Sequence, residues 1–425
     1  MEDMTINQNA KAATTTTLRA LAIGAVAAAC TVTAALPAQA APAAPAPAPA
    51  HHARHLTLPA PTGPHQVGEV ALHLVDRSRP DPWHPEQPQR QLMVSVFYPA
   101  ARTAGHPEAP YMLPQAAAHF DSVTANDYLQ LGLPTGRADW AGTDTHVAEG
   151  APAARGSYPV VVYSPGLGEP RTWDTTLVAD LASRGYVVVT VDNTYESPEV
   201  QFPDGSLATM TMPTDPDAFI RKALDVRVAD TAFVLDQLQR LNRGQLPGAP
   251  ADLAGRLDLS KVGMFGHSMG GTAAADAMAA DHRIAAGLDM DGNLTNLDGS
   301  LMPVAQHGLD RPFLLMGKDG TTDTGPGWNA FEANTPGWTR QLTLKGSQHA
   351  SFTDAEALLP QLLPRVGQSG QVRANDIGTI NPALAIHTTE AYVAAFFDHT
   401  LRGSAAAGRL LDGPSAKYPA MEFVH

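Results

Sequence analysis

The sequence predicts an α/β domain with a mostly parallel central sheet and helices on both faces. Three observations carry that prediction. Short apolar runs recur through the second half of the chain: PVVVYS (Pro159–Ser164), YVVVTVD (Tyr186–Asp192), KVGMFG (Lys261–Gly266), IAAGLDMD (Ile284–Asp291), PFLLMGKD (Pro312–Asp319) and QLTLKG (Gln341–Gly346). These runs are apolar along their length, as strands covered on both faces must be. Stretches of helical length separate most of them, which is the rhythm of strand–helix–strand crossovers.

Taken in order, the chain opens on a leader. Lys11 and Arg19 precede an alanine-rich apolar stretch, Ala20–Leu36, and Ala38 and Ala40 fit the small-residue pattern of signal cleavage. The stretch is too weakly apolar for a membrane span. We therefore expect residues 1–40 to be a secretory signal and the protein to be extracellular. Cys30, the single cysteine, lies inside it, so the mature chain would hold no disulfide, thiolate metal site or cysteine nucleophile. Residues 41–59 begin as a proline–alanine repeat, which favours extended polyproline II and cannot bury a core, and are expected to form a disordered tail. Its His51, His52 and His55 read as solvated residues, since no carboxylate completes a metal-ligand spacing. A single folded domain is expected over 60–425.

Within that domain Glu69–Asp76 and Gln91–Ala100 alternate apolar and polar residues, the pattern of an antiparallel lead-in pair. Thr175–Gly185, Phe219–Leu241 and Gly271–His282 are the intervening helices, and Thr388–Gly403 is a last helix able to pack on the sheet. Ala101–Gly156 and Asn193–Pro216 break the rhythm. They are rich in Pro, Gly, Asp and Thr, and are either surface insertions or segments bordering a site.

With 425 residues and 44% hydrophobic content, the chain can bury a large core. Its net charge of −14 argues against nucleic acid and against steering to anionic membranes. No metal or organic cofactor is implied, and no stable membrane anchor is expected. Oligomeric state is not encoded in any motif.

The chemistry concentrates on GHSMG, Gly266–Met269 and Gly270, set between an apolar run and an alanine-rich helix. A nucleophilic serine must stand on a sharp strand-to-helix turn, and glycines two residues to either side let strand and helix close on that turn. Ser268 is the candidate nucleophile. It needs a base, and KGSQHASFTD places His349 just after the last apolar run, whereas His387 begins the final helix. The imidazole needs an acid. Asp319, after PFLLMGK, and Asp291, ending IAAGLDMD, both fit, and spacing alone leaves them open. Two backbone N–H donors must bind the developing oxyanion. Met269 follows the serine, and Leu167 sits between Gly166 and Gly168 in YSPGLGEPR.

VVVYSPGLGEPRTWDTTLVADLASRGYVVVTVDN, DLSKVGMFGHSMGGTAA, RIAAGLDMDGN and KGSQHASFTD occur in that order between Pro159 and Asp354. In these pieces the chain resembles the plasma-type (group II) platelet-activating factor acetylhydrolases and their bacterial relatives in the α/β-hydrolase superfamily. The resemblance implies Ser268, Asp291 and His349 as the triad, with Leu167 and Met269 as oxyanion donors. It implies hydrolysis of short-acyl or oxidised phospholipid esters, with a small-molecule or lipid ester as partner. The chain departs from the family in carrying Pro165 where a histidine is usual, Met269 where phenylalanine is frequent, and Asp319 where some relatives lack a carboxylate. An extracellular lipase or cutinase-like polyester hydrolase is the rival activity, and a hydrolase-fold binding protein without catalysis is a different class.

Overall fold

Strands form where the sequence offers apolar or alternating runs. In chain order they are β1 (Arg54–Thr57), β2 (Gln66–Asp76), β3 (Arg90–Ala100), β4 (Ala138–Asp144), β5 (Ala148–Glu149), β6 (Tyr158–Ser164), β7 (Val187–Asp192), β8 (Glu199–Gln201), β9 (Leu207–Thr209), β10 (Leu257–His267), β11 (Ile284–Met290), β12 (Phe313–Lys318), β13 (Thr339–Leu344) and β14 (Met421–Phe423). This computed structural model describes residues 54–211, 215–320, 325–368 and 370–424. The expected signal, and the expected tail as far as residue 53, lie outside the described residues.

Ten of the described strands make one sheet in the order β14-β13-β12-β11-β10-β6-β7-β3-β2-β5. The run from β13 to β7 is parallel throughout. The antiparallel pairs are β7 with β3, β3 with β2, and β13 with β14. The expected lead-in pair is thus β2 and β3, joined in register from Gln66–Ala100 to Asp76–Arg90.

Alternation of side chains divides the sheet between two cores. On β6, Val161 and Tyr163 enter one core and Val160 and Val162 the other. The first core is closed by helices Thr175–Ser183 and Pro382–Thr400 through Val178, Phe396 and Phe397. The second is closed by Pro216–Asn242 and Met269–Ala280 through Val234, Leu238 and Met278. Burial on both faces is why these strands read as continuous apolar runs.

Four regions depart most from the sequence expectation. Arg54–Thr57 of the expected tail pairs in parallel with β4, and Leu56 and Leu58 are buried, so the ordered domain starts before residue 60. The helix expected from Thr388 begins at Pro382. Asn381 caps it by accepting the Leu384 N–H at 3.2 Å, and a proline is well tolerated in a first turn. His387 is therefore inside that helix, paired with Glu390 at 3.2 Å. Ala101–Gly156 is more than a surface excursion. Its Phe120 and Trp140 rings meet edge to face with centroids 4.7 Å apart and join Trp173 in a third core that reaches Leu358 and Leu359. Asn193–Pro216 contains the β8–β9 hairpin.

Among the described residues, no helix is long and apolar enough to cross a membrane. The carboxyl ends of β6, β10, β11, β12 and β13 all open on one edge of the sheet, since these strands are parallel. The loops that follow them carry Leu167, Ser268, Asp291, Asp319 and His349.

Candidate active site

Ser268 joins β10 to the helix Met269–Ala280 with φ 54° and ψ −126°, a conformation that costs a non-glycine residue on the order of 1–3 kcal/mol. Its N–H donates to the Met290 carbonyl at 2.8 Å, tying the turn to the end of β11. The flanking glycines are needed for contact. A Cβ on Gly270 would overlap the Ser164 carbonyl oxygen, and one on Gly266 would overlap the backbone of Gly270. Strand β6, the turn and the helix therefore approach at backbone distance. The helix also aims its amino-terminal dipole at the serine end.

Asp291 follows β11 and is a second non-glycine residue with positive φ, at 57°. Its N–H donates to the Met316 carbonyl at 2.8 Å, and its Oδ1 accepts the Lys318 N–H at 3.0 Å. Its Oδ2 then meets His349 Nδ1 at 2.5 Å. The Asp291 side chain is 3% exposed, while the His349 ring is 47% exposed. Of the two acids left open by spacing, Asp291 is the one against His349. Asp319 is exposed and turned to main chain: its Oδ2 accepts the Gly346 N–H at 2.7 Å, and its own N–H donates to Ser347 Oγ at 3.2 Å. Asp289, two residues earlier on β11, accepts the Gly292 N–H at 2.7 Å, and burial pushes its carboxyl up to about 8.

The loop Pro165–Gly168 lies beside this group and is held from two sides. Glu169 Oε2 accepts the Gly166 N–H at 2.7 Å. From the helix Pro216–Asn242, buried Arg227 donates to the Pro165 carbonyl at 2.5 Å and to Ser164 Oγ at 3.2 Å. The same guanidinium donates from Nε to Glu196 Oε2 at 2.9 Å. Burial raises Glu196 to about 7, against the pull of Arg227. The Leu167 and Met269 side chains share one apolar cluster with Phe219, Leu224, Met302 and Trp83, so the two candidate oxyanion donors flank an apolar wall. Trp83 and Phe219 lie 4.8 Å apart, and the Lys222 ammonium sits 4.4 Å above the Trp83 ring.

Sequence reasoning missed Glu169, His267 and Arg227. His267, the second residue of the GHSMG motif, is 1% exposed and lies 3.0 Å from Glu169 Oε1. A glutamate inside a glycine-rich loop and a histidine at the end of an apolar strand were the available signals, but their pairing spans 98 residues.

The profile of the family described as platelet-activating factor acetylhydrolase, isoform II, matches residues 50–404. A probable 1-alkyl-2-acetylglycerophosphocholine esterase of Arthroderma benhamiae is 29% identical over 403 residues, 86% of this chain and 93% of that protein. The platelet-activating factor acetylhydrolase of Canis lupus familiaris is 23% identical over 218 residues, 46% of this chain and 48% of that one. Among solved structures, a ferulic acid esterase from Streptomyces cinnamoneus superposes with a TM-score of 0.70 at 36% identity, over 88% of this chain and 100% of that one. The chain is an ester hydrolase with an α/β-hydrolase fold, and it belongs to the platelet-activating factor acetylhydrolase, isoform II, family.

Proposed function

We propose that this ester hydrolase is secreted and cleaves short-acyl phospholipid esters through a covalent acyl-enzyme. The observation that carries the mechanism is the hydrogen bond between His349 Nδ1 and Asp291 Oδ2 at 2.5 Å, on the sheet edge where Ser268 occupies its strained turn. A carboxylate at Nδ1 fixes the proton there and leaves Nε2 as the basic nitrogen. His349 takes the proton of Ser268 as its Oγ attacks the ester carbonyl, and returns it to the departing alcohol. Water, activated the same way, then cleaves the acyl-enzyme. The Leu167 and Met269 N–H groups bind the tetrahedral oxyanion, and loss of one such donor costs on the order of 10² to 10³ in turnover. Asp291 stabilises the imidazolium in both steps. The sequence implies no metal or organic cofactor. Export rests on the leader pattern of residues 1–40.

The substrate class is supported by the family and by the Arthroderma relative. A second reading, an aromatic ester of the ferulate type, is favoured by the Streptomyces esterase and by the wall of Trp83, Phe219, Leu167 and Met269. Rates on an acetylated phospholipid, a feruloyl ester, a long-chain triglyceride and a polyester film test both. We expect the acetylated phospholipid to lead. A lead for the feruloyl ester transfers the assignment to the second reading. A lead for triglyceride or polyester overturns both in favour of a lipase or cutinase-like activity.

A further inference from the structure

Glu169 and His267 are both buried and belong to none of the catalytic roles above. His267 Nδ1 lies 3.0 and 3.1 Å from the two Glu169 carboxylate oxygens, and His267 Nε2 lies 3.0 Å from the main-chain carbonyl of His349. Both ring nitrogens therefore face acceptors only. A neutral imidazole has one N–H and can satisfy one of them; an imidazolium satisfies both. Glu169 uses Oε2 a second time to accept the Gly166 N–H at 2.7 Å. One pair of side chains thus reaches the loop that carries Leu167, the residue immediately before Ser268, and the backbone of His349. The His267 and His349 rings lie with centroids 4.4 Å apart.

We infer that Glu169 and the His267 imidazolium form a charged positioning pair that holds the oxyanion loop and the catalytic base in register with Ser268. The inference rests on the acyl-transfer reading of the site and deepens it. Asp291 holds His349 through its ring, and the pair adds a further point at its carbonyl. A base misplaced by about 1 Å costs on the order of 10²-fold in rate, so one lost hydrogen bond at that carbonyl has a catalytic reading. The electrostatics agree. Burial disfavours the His267 charge, but Glu169, Asp291 and the His349 carbonyl together hold its pKa above the ordinary histidine value. In the same way, the His267 charge and the Gly166 N–H hold Glu169 below the usual carboxylate range despite its burial. The other titratable groups facing the pair are Asp289, Asp174, Tyr163 and His349.

The sign of the pH dependence follows. His267 keeps both contacts below its raised pKa and loses one as pH rises through it. Turnover in the parent should then carry an alkaline limb above the ordinary histidine value. Glu169→Gln leaves an oxygen for the Gly166 N–H but removes the charge that holds the His267 proton. That variant should lose about tenfold to a hundredfold in kcat with KM within about threefold, and its alkaline limb should move to lower pH. His267→Gln should show a lowered kcat and no such limb.

Parent, Glu169→Gln, His267→Gln and Ser268→Ala are compared for ester hydrolysis across pH 5–10, with fluorophosphonate titration counting reactive Ser268 and thermal unfolding checking the fold. Nitrogen-15 NMR of the histidine rings in the parent gives a readout that needs no variant: we expect one histidine protonated on both nitrogens at pH 7.5. A neutral His267 there overturns the inference, as does a parent-like kcat and pH profile in both folded variants. If Ser268→Ala keeps the parent's activity, the acyl-transfer reading itself falls, which is a separate result from either.

Discussion

Two regions meet at the carboxyl edge of the sheet, and they are built on opposite principles. The ends of β10 and β11 present Ser268 and Asp291 by backbone strain: both have positive φ, at 54° and 57°, and both are tied by main-chain bonds to the next strand. The loops around them are held by buried charge. Arg227 with Glu196, Arg90 with Asp230 and Asp81, and Arg171 with Asp192 all pair inside the fold, and Arg90 also donates to the Thr194 carbonyl at 2.8 Å. The contrast teaches a division of labour. A parallel sheet is rigid enough to store strain at its strand ends, which is where the proposed nucleophile and acid sit. Loops lack ladder hydrogen bonds and need side chains to fix them, so the Pro165–Arg171 and Asn193–Ser197 segments are bolted by guanidinium groups.

The comparison breaks most sharply at the strained end. Ser268→Ala should lower turnover of any ester substrate by on the order of 10⁵- to 10⁶-fold, since a triad acts as a unit. It should not destabilise the fold, because alanine asks nothing further of the turn. Activity against an acetylated phospholipid, paired with thermal unfolding, checks both halves. A Ser268→Ala variant that unfolded early would mean that the serine side chain supports the turn.

The next largest effect separates the two acids. Asp291→Asn should cost on the order of 10⁴-fold, because an amide at Nδ1 favours the wrong tautomer of His349. Asp319→Asn should stay within a few-fold, since among the described residues its Oδ2 accepts a main-chain N–H at 2.7 Å, a role that an amide oxygen fills equally well. Rates of covalent labelling by a fluorophosphonate rank the two. Slowing confined to Asp319→Asn would place the acid after β12 and leave the Asp291–His349 contact without a catalytic role.

These two acids also show how far the sequence could be read. The sheet, the turn at Ser268 and the position of His349 were legible because each depends on neighbours within a few residues: apolar runs, flanking glycines, a turn after the last strand. The choice between Asp291 and Asp319 was not, because both end a strand and only three-dimensional geometry shows which side chain faces the imidazole. Family likeness, not spacing, pointed to Asp291. The buried ion pairs were least legible. Arg227 reaches Glu196 across 31 residues and Arg90 reaches Asp230 across 140, and nothing local marks either residue. The start of the helix Pro382–Thr400 was missed as well; a proline breaks a helix from within but fits its first turn.

At the charge-held end, the loss should appear as stability. Arg227→Met removes the ion-pair partner of Glu196 and the donor to the Pro165 and Gly166 carbonyls, leaving a fully buried carboxyl with the Trp83 indole N–H but no salt bridge. Breaking a buried pair from one side costs about 3–5 kcal/mol. Urea unfolding at pH 8 measures it, with m unchanged. The double variant Arg227→Met/Glu196→Gln should recover part of the loss, as no charge then remains stranded. A single variant as stable as the parent would mean that the loop is held without its guanidinium.

The smallest effect is graded with pH and touches both regions. Burial pushes Asp289 up from 3.8 to about 8, and Glu356 and Glu390 from 4.5 to about 8. Between the ordinary value and the raised one, the folded protein keeps a proton that the unfolded chain has released. The folded state then binds more protons, so stability falls as pH rises across that window. The melting temperature should therefore decline from about pH 5 to pH 9, the opposite of the trend that carboxylates held by cations produce at acid pH. Asp289→Asn isolates one contribution. The amide keeps an oxygen for the Gly292 N–H and cannot ionise, so the gap in melting temperature between pH 5.5 and pH 8.5 should narrow relative to the parent. An unchanged gap would assign the decline to the other buried acids. Because Asp289 lies two residues before Asp291 on β11, the same variant also tests whether the strained acid depends on a neutral neighbour beneath it: turnover at pH 8.5 should hold to higher temperature than in the parent.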